Sequence, residues 1–563
     1  MKPAAFPAPR WLLLLLLLAL AVALGAGLNG WGVLETSEAR YAEIGREMLV
    51  GRDWLDPRLL GIQHFHKPPL TYWLTALGLT LAGPGAAAAG VRLLPVLAVL
   101  VQVALMYGLG RLLFEGGDRS RALAAAVVYG TLPVVLTAAL NVTTDVYLAT
   151  WELAAAYSIL RYYADNQWRW LYLFWLGLGL AFLTKGPVGL VLPLMAVAGH
   201  YFRRGRARRP FTVHHALGLA LFGLVGLSWY GYLALENPAF VRYFLFEHTV
   251  ERFANAATFG RSKPWWFYLV LVPLAGLPWS AAALAPVLRA PWAPLPPLWR
   301  NVLLFWVLVP LVFFSLSSSK LLLYVLPVFP GAALLVVYCL GRCSDAVLYH
   351  WYVGAGLFYG VVLSLLCALP ALAAAWELPL DLSPQLAVWP AAGVLALGVQ
   401  HVFWRPVRVA PRLLGLPVVF AVFLLLTAKT GLRQQELALG GTRPLAARLR
   451  RPDLAGRPVL VYNQLLPSLA FELNEVPVTL EDGNHDLRRD TRFETSSAWR
   501  RRLVSVPYHP QPDSTGRLPI PGLSNWRPPV LVAKGPLPSY RQWLRTGLTQ
   551  EEQLGPWHLY YSP

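Results

Sequence analysis

Between residues 90 and 430 the chain is a succession of apolar runs parted by short polar breaks. Runs of about twenty apolar residues match the thickness of bilayer hydrocarbon crossed by an α-helix. Backbone groups in lipid must be satisfied within the segment or in a closed barrel, so such runs can only be helices. Trp11 to Leu28 reads as a retained first span with its N-terminus inside, following Lys2 and Arg10. Further spans read as 90–111, 122–140, 144–163, 168–184, 186–202, 215–235, 265–289, 300–316, 320–341, 348–375, 386–404 and 412–430. The fold class that follows is a membrane all-α protein, a polytopic bundle of about thirteen transmembrane helices. The 56% hydrophobic composition and mean hydropathy of +0.49 agree, since a soluble domain of this length is more polar.

The net charge of +19 does not call for a nucleic-acid partner. Basic residues collect in cytoplasmic loops of membrane proteins. With the N-terminus inside, Arg111, Arg119 and Arg121, the run Arg203 to Arg209, Arg289 and Arg300, and Arg405 to Arg412 all fall on the inner side. Residues 29–89, 141–144, 236–264 and 431–563 then lie outside, in contact with membrane lipids or beyond them. The organisation is a transmembrane domain over 1–430, with 29–89 as its first outer loop, and an extracytoplasmic domain over 431–563. In that last stretch long apolar runs stop. Pro458–Tyr462 and Pro529–Ala533 read as short buried strands, and Leu465–Leu473 and Tyr540–Leu544 as helices, giving a small α/β domain. Cys339, Cys343 and Cys367 lie in or beside apolar segments and make no disulfide or zinc framework.

The polar stretch Leu34 to Met48 carries Glu35, Glu38, Glu43 and Glu47 with Arg40 and Arg46. Thr36 and Ser37 suit a helix N-cap, and Glu38 suits the helix dipole. Tyr41, Ile44 and Met48 repeat at helical spacing, which predicts an amphipathic helix on the outer membrane surface. Only seven of the 48 basic residues are lysines. Lys67, Lys185, Lys263 and Lys320 fall at expected outer helix starts, Lys67 and Lys263 directly before proline and Lys185 before Gly186-Pro187, where free N–H groups and a full charge favour phosphate. Tyr324 falls one turn beyond Lys320. Asp145, after Asn141-Val142-Thr143-Thr144, is expected to face the same outer side as Glu35 and Glu38. No cofactor follows with certainty, but His66 and His248, with His64 nearby, could hold a divalent metal drawn from two loops.

Several segments resemble a known family. Glu38-Ala39-Arg40-Tyr41-Ala42-Glu43-Ile44, Arg46-Glu47-Met48, Gly51-Arg52-Asp53-Trp54 and His66-Lys67-Pro68-Pro69-Leu70-Thr71-Tyr72-Trp73 resemble the first outer loop of the bacterial aminoarabinose lipid A transferases. These are GT-C glycosyltransferases, more distantly related to protein O-mannosyltransferases. Leu183-Thr184-Lys185-Gly186-Pro187, Trp229-Tyr230, Glu247-His248, Pro278-Trp279-Ser280 and Phe314 to Ser317 with Lys320 and Tyr324 extend the resemblance over residues 30–330. It departs at Ser37, where the family has Asp, and at His66, where many relatives have Glu.

The resemblance implies transfer of a sugar from a polyprenyl-phosphate donor to a lipid (lipid A-like), glycan or protein acceptor on the outer face of the bacterial inner membrane. A single displacement would invert the anomeric centre. It implies Lys67, Lys185, Lys320, Tyr324 and Arg40 for the donor phosphate, and Glu38 and Asp145, with Glu35 in reserve, for the acceptor. A transporter or flippase of lipid-linked sugars is the alternative. That class favours two similar halves and helices broken at mid-membrane, and no internal repeat is visible.

Overall fold

The computed structural model describes residues 10–201, 211–244, 263–283, 295–378, 380–404, 407–507 and 528–563. The first helices are α1 Trp11–Gly25, α2 Ser37–Gly51, α3 Leu70–Ala82, α4 Ala87–Leu113, α5 Arg119–Gly130, α6 Pro133–Leu140, α7 Thr144–Asp165, α8 Trp168–Lys185 and α9 Val191–Tyr201. The chain divides into two compact units, Met1–Gly27 with Arg92–Gly431, and Leu28–Val91 with Leu432–Pro563.

The first unit is helical. Among the described residues of the whole chain, eight helical segments are long and apolar enough to cross a membrane, or nine if the bent pair α5–α6 is one span. The protein is therefore a multi-pass membrane protein. The single span expected over 122–140 is broken by a 59° bend. Pro133 opens α6, and Leu132 before it is extended, the conformation that a following proline favours.

Helices α7 and α8 pack through Ala155, Ile159 and Tyr162 against Leu171, Phe174 and Leu178. Helix α8 runs on through Lys185 and stops at Gly186, whose φ of +75° is in the left-handed region. A 3₁₀ turn follows, and the chain folds back so closely that a Cβ on Gly189 would meet the Ala181 backbone at 2.7 Å. The helix expected from 186 accordingly begins at Val191, and Lys185 ends a helix rather than opening one.

The second unit holds a two-stranded hairpin, β1 Arg58–Leu59 with β2 Ile62–Gln63, and a six-stranded sheet. The sheet strands are β3 Val459–Tyr462, β4 Val478–Glu481, β5 Leu503–Ser505, β6 Val530–Lys534, β7 Gln550–Leu554 and β8 Trp557–Tyr561. Their order is β5-β4-β3-β6-β8-β7. The first four are parallel, and β8 pairs antiparallel with β6 and β7. Successive side chains of β3 and β6 serve opposite cores: Val461 and Val532 join Leu445, Leu449 and Leu469, whereas Leu460 and Leu531 join Leu480, Leu544 and Tyr560. Covered on both faces, these strands are continuous apolar runs, as parallel strands usually are.

Helix α2 is not a surface helix. It lies against α3 and the short helix Pro467–Leu473, and Glu38, Tyr41, Glu43, Ile44 and Met48 are all buried. Its apolar stripe was legible, but its charged face is turned inward too, because Arg46 grips Glu43 through two hydrogen bonds of 2.6 and 2.7 Å.

Candidate functional site

In the helical unit, Asp145 stands in the first turn of α7. The Thr143 side chain caps that turn by accepting the Asp145 N–H at 3.3 Å. Lys185, at the end of α8, donates to Asp145 Oδ1 at 2.5 Å, and both side chains are about nine-tenths buried, at 9% and 8% exposure. The Lys185 ammonium also lies 3.9 Å from the centroid of the Tyr324 ring. A lysine has three donors. Here one is spent on a carboxylate, and the cation is steadied by an aromatic face, so among the described residues the group is held in place with donors to spare.

Tyr324 therefore partners Lys185, not Lys320. The residues Leu322–Val328 form a 3₁₀ helix instead of the first α-turn expected there. Tyr268 locks its start, accepting from Leu321 N at 3.0 Å and donating to Leu321 O at 2.8 Å. Lys320 turns its ammonium onto the carbonyls of Lys263, at 3.1 Å, and Ser317. Sequence reasoning missed Glu152. It is fully buried and within electrostatic reach of Lys185 and Asp145. Its seven-residue offset from Asp145, two helical turns on one face, was the available signal.

In the second unit the acidic candidates are engaged by backbone. Glu35 accepts the Ser468 N–H at 2.8 Å, at the first turn of the Pro467–Leu473 helix. Burial pushes its carboxyl up to about 7, against the lowering effect of the Ser468 hydrogen bond and of Arg40. Glu38 accepts the Leu34 N–H at 2.9 Å and so ties down the entry to α2. Thr36, expected to cap that helix, makes no side-chain cap. Arg40 and Lys67 are half-buried. His66 is drawn together with His64 and Asp490, three potential metal-ligating groups, whereas His248 lies outside the described residues.

Comparisons with known proteins give the family. Residues 66–231 match the dolichyl-phosphate-mannose-protein mannosyltransferase family. The undecaprenyl phosphate-alpha-4-amino-4-deoxy-L-arabinose arabinosyl transferase of Pseudomonas paraeruginosa is 32% identical over 483 residues, covering 82% of this chain and 83% of that one. One from Sodalis glossinidius is 35% identical over 319 residues, 55% of each chain. Among solved structures, ArnT from Cupriavidus metallidurans bound to undecaprenyl phosphate superposes with a TM-score of 0.77 at 23% identity, covering 98% of both chains.

The fold is that of a GT-C membrane glycosyltransferase. The chain belongs to the family of undecaprenyl phosphate-aminoarabinose arabinosyl transferases.

Proposed function

We propose that this glycosyltransferase moves 4-amino-4-deoxy-L-arabinose from undecaprenyl phosphate to a lipid A-like acceptor on the outer face of the bacterial inner membrane. The donor sugar is the one named for its relatives, and a fold neighbour was solved with undecaprenyl phosphate. Family membership favours this over a flippase. The observation that carries the reading is the Asp145–Lys185–Tyr324 cluster: a cation pinned at a helix end by a carboxylate and a ring.

The chemistry follows from charge. As the glycosidic bond to the lipid phosphate breaks, negative charge grows on the leaving oxygen, and pre-placed cations stabilise it without reorganisation. Lys185 takes this role, with Tyr324, and Lys320, Lys67 and Arg40 are further phosphate candidates. Asp145 keeps Lys185 aimed. Glu38 and Asp145 are the candidates for orienting or deprotonating the acceptor, and Glu35 is a reserve. Attack from the opposite side inverts the anomeric centre.

The same reading takes about thirteen crossings, a transmembrane domain over 1–430, and an extracytoplasmic α/β domain over 431–563. It also retains the pairing of His66 with His248 as a metal candidate. The test is incubation of the purified protein in lipid with a panel of polyprenyl-phosphate sugars and lipid acceptors, followed by mass spectrometry. Transfer of aminoarabinose supports the reading. Transfer of another sugar alone moves the donor assignment, and donor translocation without product overturns the enzyme.

A further inference from the structure

Asp490 lies 424 residues beyond His66 and 426 beyond His64, yet the three converge within the second unit. One donor atom from each lies within 4.8 Å of the other two. The two imidazole rings stand side by side, with centroids 4.0 Å apart. His66 Nε2 is 3.9 Å from Asp490 Oδ1, longer than a hydrogen bond, so these two groups are gathered without bonding through those atoms. His64 and Asp490 are buried and His66 is half-buried.

The surroundings hold the three groups in position. The Phe65 N–H donates to Asp490 Oδ2 at 2.6 Å, leaving Oδ1 on the histidine side. Asp490 N donates to Gln63 O at 3.2 Å, and His64 N donates to Pro57 O at 2.8 Å. Backbone bonds of this kind orient ligands from outside the coordination sphere.

We propose that His64, His66 and Asp490 form a divalent transition-metal site, with zinc the fitting ion. Two imidazoles and a carboxylate are a common three-ligand zinc set that leaves a fourth position for water. Ligands at about 2.0–2.2 Å from a tetrahedral ion stand roughly 3.4 Å apart, so small side-chain rotations close the site from its present spacing. The ion would clamp the 57–69 segment to the 490 region of the C-terminal part, and with it the backbone of Lys67, the residue after His66. This ligand set uses Asp490 in place of His248 and does not depend on which sugar is transferred.

The experiment uses the full-length protein in detergent or nanodiscs. It is stripped with a chelator, dialysed, titrated with Zn²⁺, and analysed for bound metal by mass spectrometry. A parallel titration with Co²⁺ reads the visible ligand-field bands of a tetrahedral site. One equivalent of metal is expected. His66→Gln and Asp490→Asn should each weaken binding at least about a hundredfold, because even an outer-sphere partner is worth roughly 10–100-fold. His485→Ala, an exposed histidine elsewhere in the same unit, should bind as the unaltered protein does. Absence of stoichiometric metal in the unaltered protein overturns the proposal, as does binding that both ligand variants retain. The titration of the unaltered protein and its Co²⁺ spectrum read the site without any variant.

Discussion

Asp145 and Lys185 neutralise each other in a nearly dry setting, and removing either strands the other's charge. Breaking a buried pair by deleting one partner typically costs about 3–5 kcal/mol. Both Asp145→Asn and Lys185→Ala should therefore lower the melting temperature as well as turnover. Activity separates the roles. Lys185→Ala is expected to lower kcat/KM on the order of ten- to a hundredfold, the worth of a charge-assisted phosphate contact. The same variant should also weaken binding of sugar-free undecaprenyl phosphate. Lys185→Arg should not restore it, because a planar fork does not replace a point charge held between a carboxylate and a ring. Unchanged phosphate affinity in Lys185→Ala would leave the lysine a purely structural partner of Asp145.

Glu35 offers a second test at the same scale, through pH. Its folded-state pKa is raised from 4.5 to about 7 by burial. Between those values the folded state holds a proton that the unfolded chain has released. Stability from this group is thus full below about pH 4.5 and is lost as pH rises through about 7. Hydrogen exchange at the Ser468 amide, which Glu35 accepts, reads this locally. Protection corrected for intrinsic rate should fall from pH 5 to pH 8 in the unaltered protein. It should stay level in Glu35→Gln, whose amide oxygen still accepts but does not ionise. A parallel decline in both would remove Glu35 as the cause.

At the scale of elements, Lys429 is the instructive case. It sits late in the helix Val409–Gln434 and far in sequence from every phosphate candidate, which marks it as a bystander by sequence alone. In the structure its ammonium donates to the carbonyls of Ala23, Leu24 and Ala26 at 2.6, 2.9 and 2.6 Å, closing the C-terminal end of α1. Helix ends leave carbonyls unsatisfied, and a lysine there is favourable to the dipole. Lys429→Ala should therefore destabilise the protein by on the order of 1.5–3 kcal/mol, read as a lower melting temperature in detergent. Binding of undecaprenyl phosphate by the folded fraction should be unaffected. An unchanged melting temperature would mean water takes over those carbonyls.

The same comparison shows what the sequence could disclose. Apolar length reveals a span because lipid imposes it, and the strands at 459–462 and 530–534 were legible because parallel strands covered on both faces are uninterrupted hydrocarbon. Contacts made by ends of elements were not legible. Nothing local tells Lys185 to find Asp145, 40 residues away, or brings Asp490 to His64 and His66. Gly186 and Pro187 read as a helix start, but the left-handed φ at Gly186 makes the pair a stop. Glu43 in the middle of α2 is buried and paired with Arg46, a burial that the expectation of an amphipathic surface helix did not include.

For the whole molecule the open quantity is direction across the membrane. The segments after α4, α9 and the helix Pro384–Phe403 are rich in arginine, and short basic loops stay on the cytoplasmic side. The second unit carries arginines as well, but large translocated domains ignore that rule. Alternation from an inside N-terminus predicts the loop after α9 inside and the C-terminal part outside. A cysteine-free background, with Cys339, Cys343 and Cys367 replaced, allows single cysteines at position 205 and at exposed position 500. In spheroplasts, a membrane-impermeant maleimide should label position 500 at once and position 205 only after the membrane is permeabilised. Labelling of 205 without 500 would invert the orientation. It would put the Asp145–Lys185 pair at the cytoplasmic end of α7, where a lipid-linked donor presented on the outer face could not reach it.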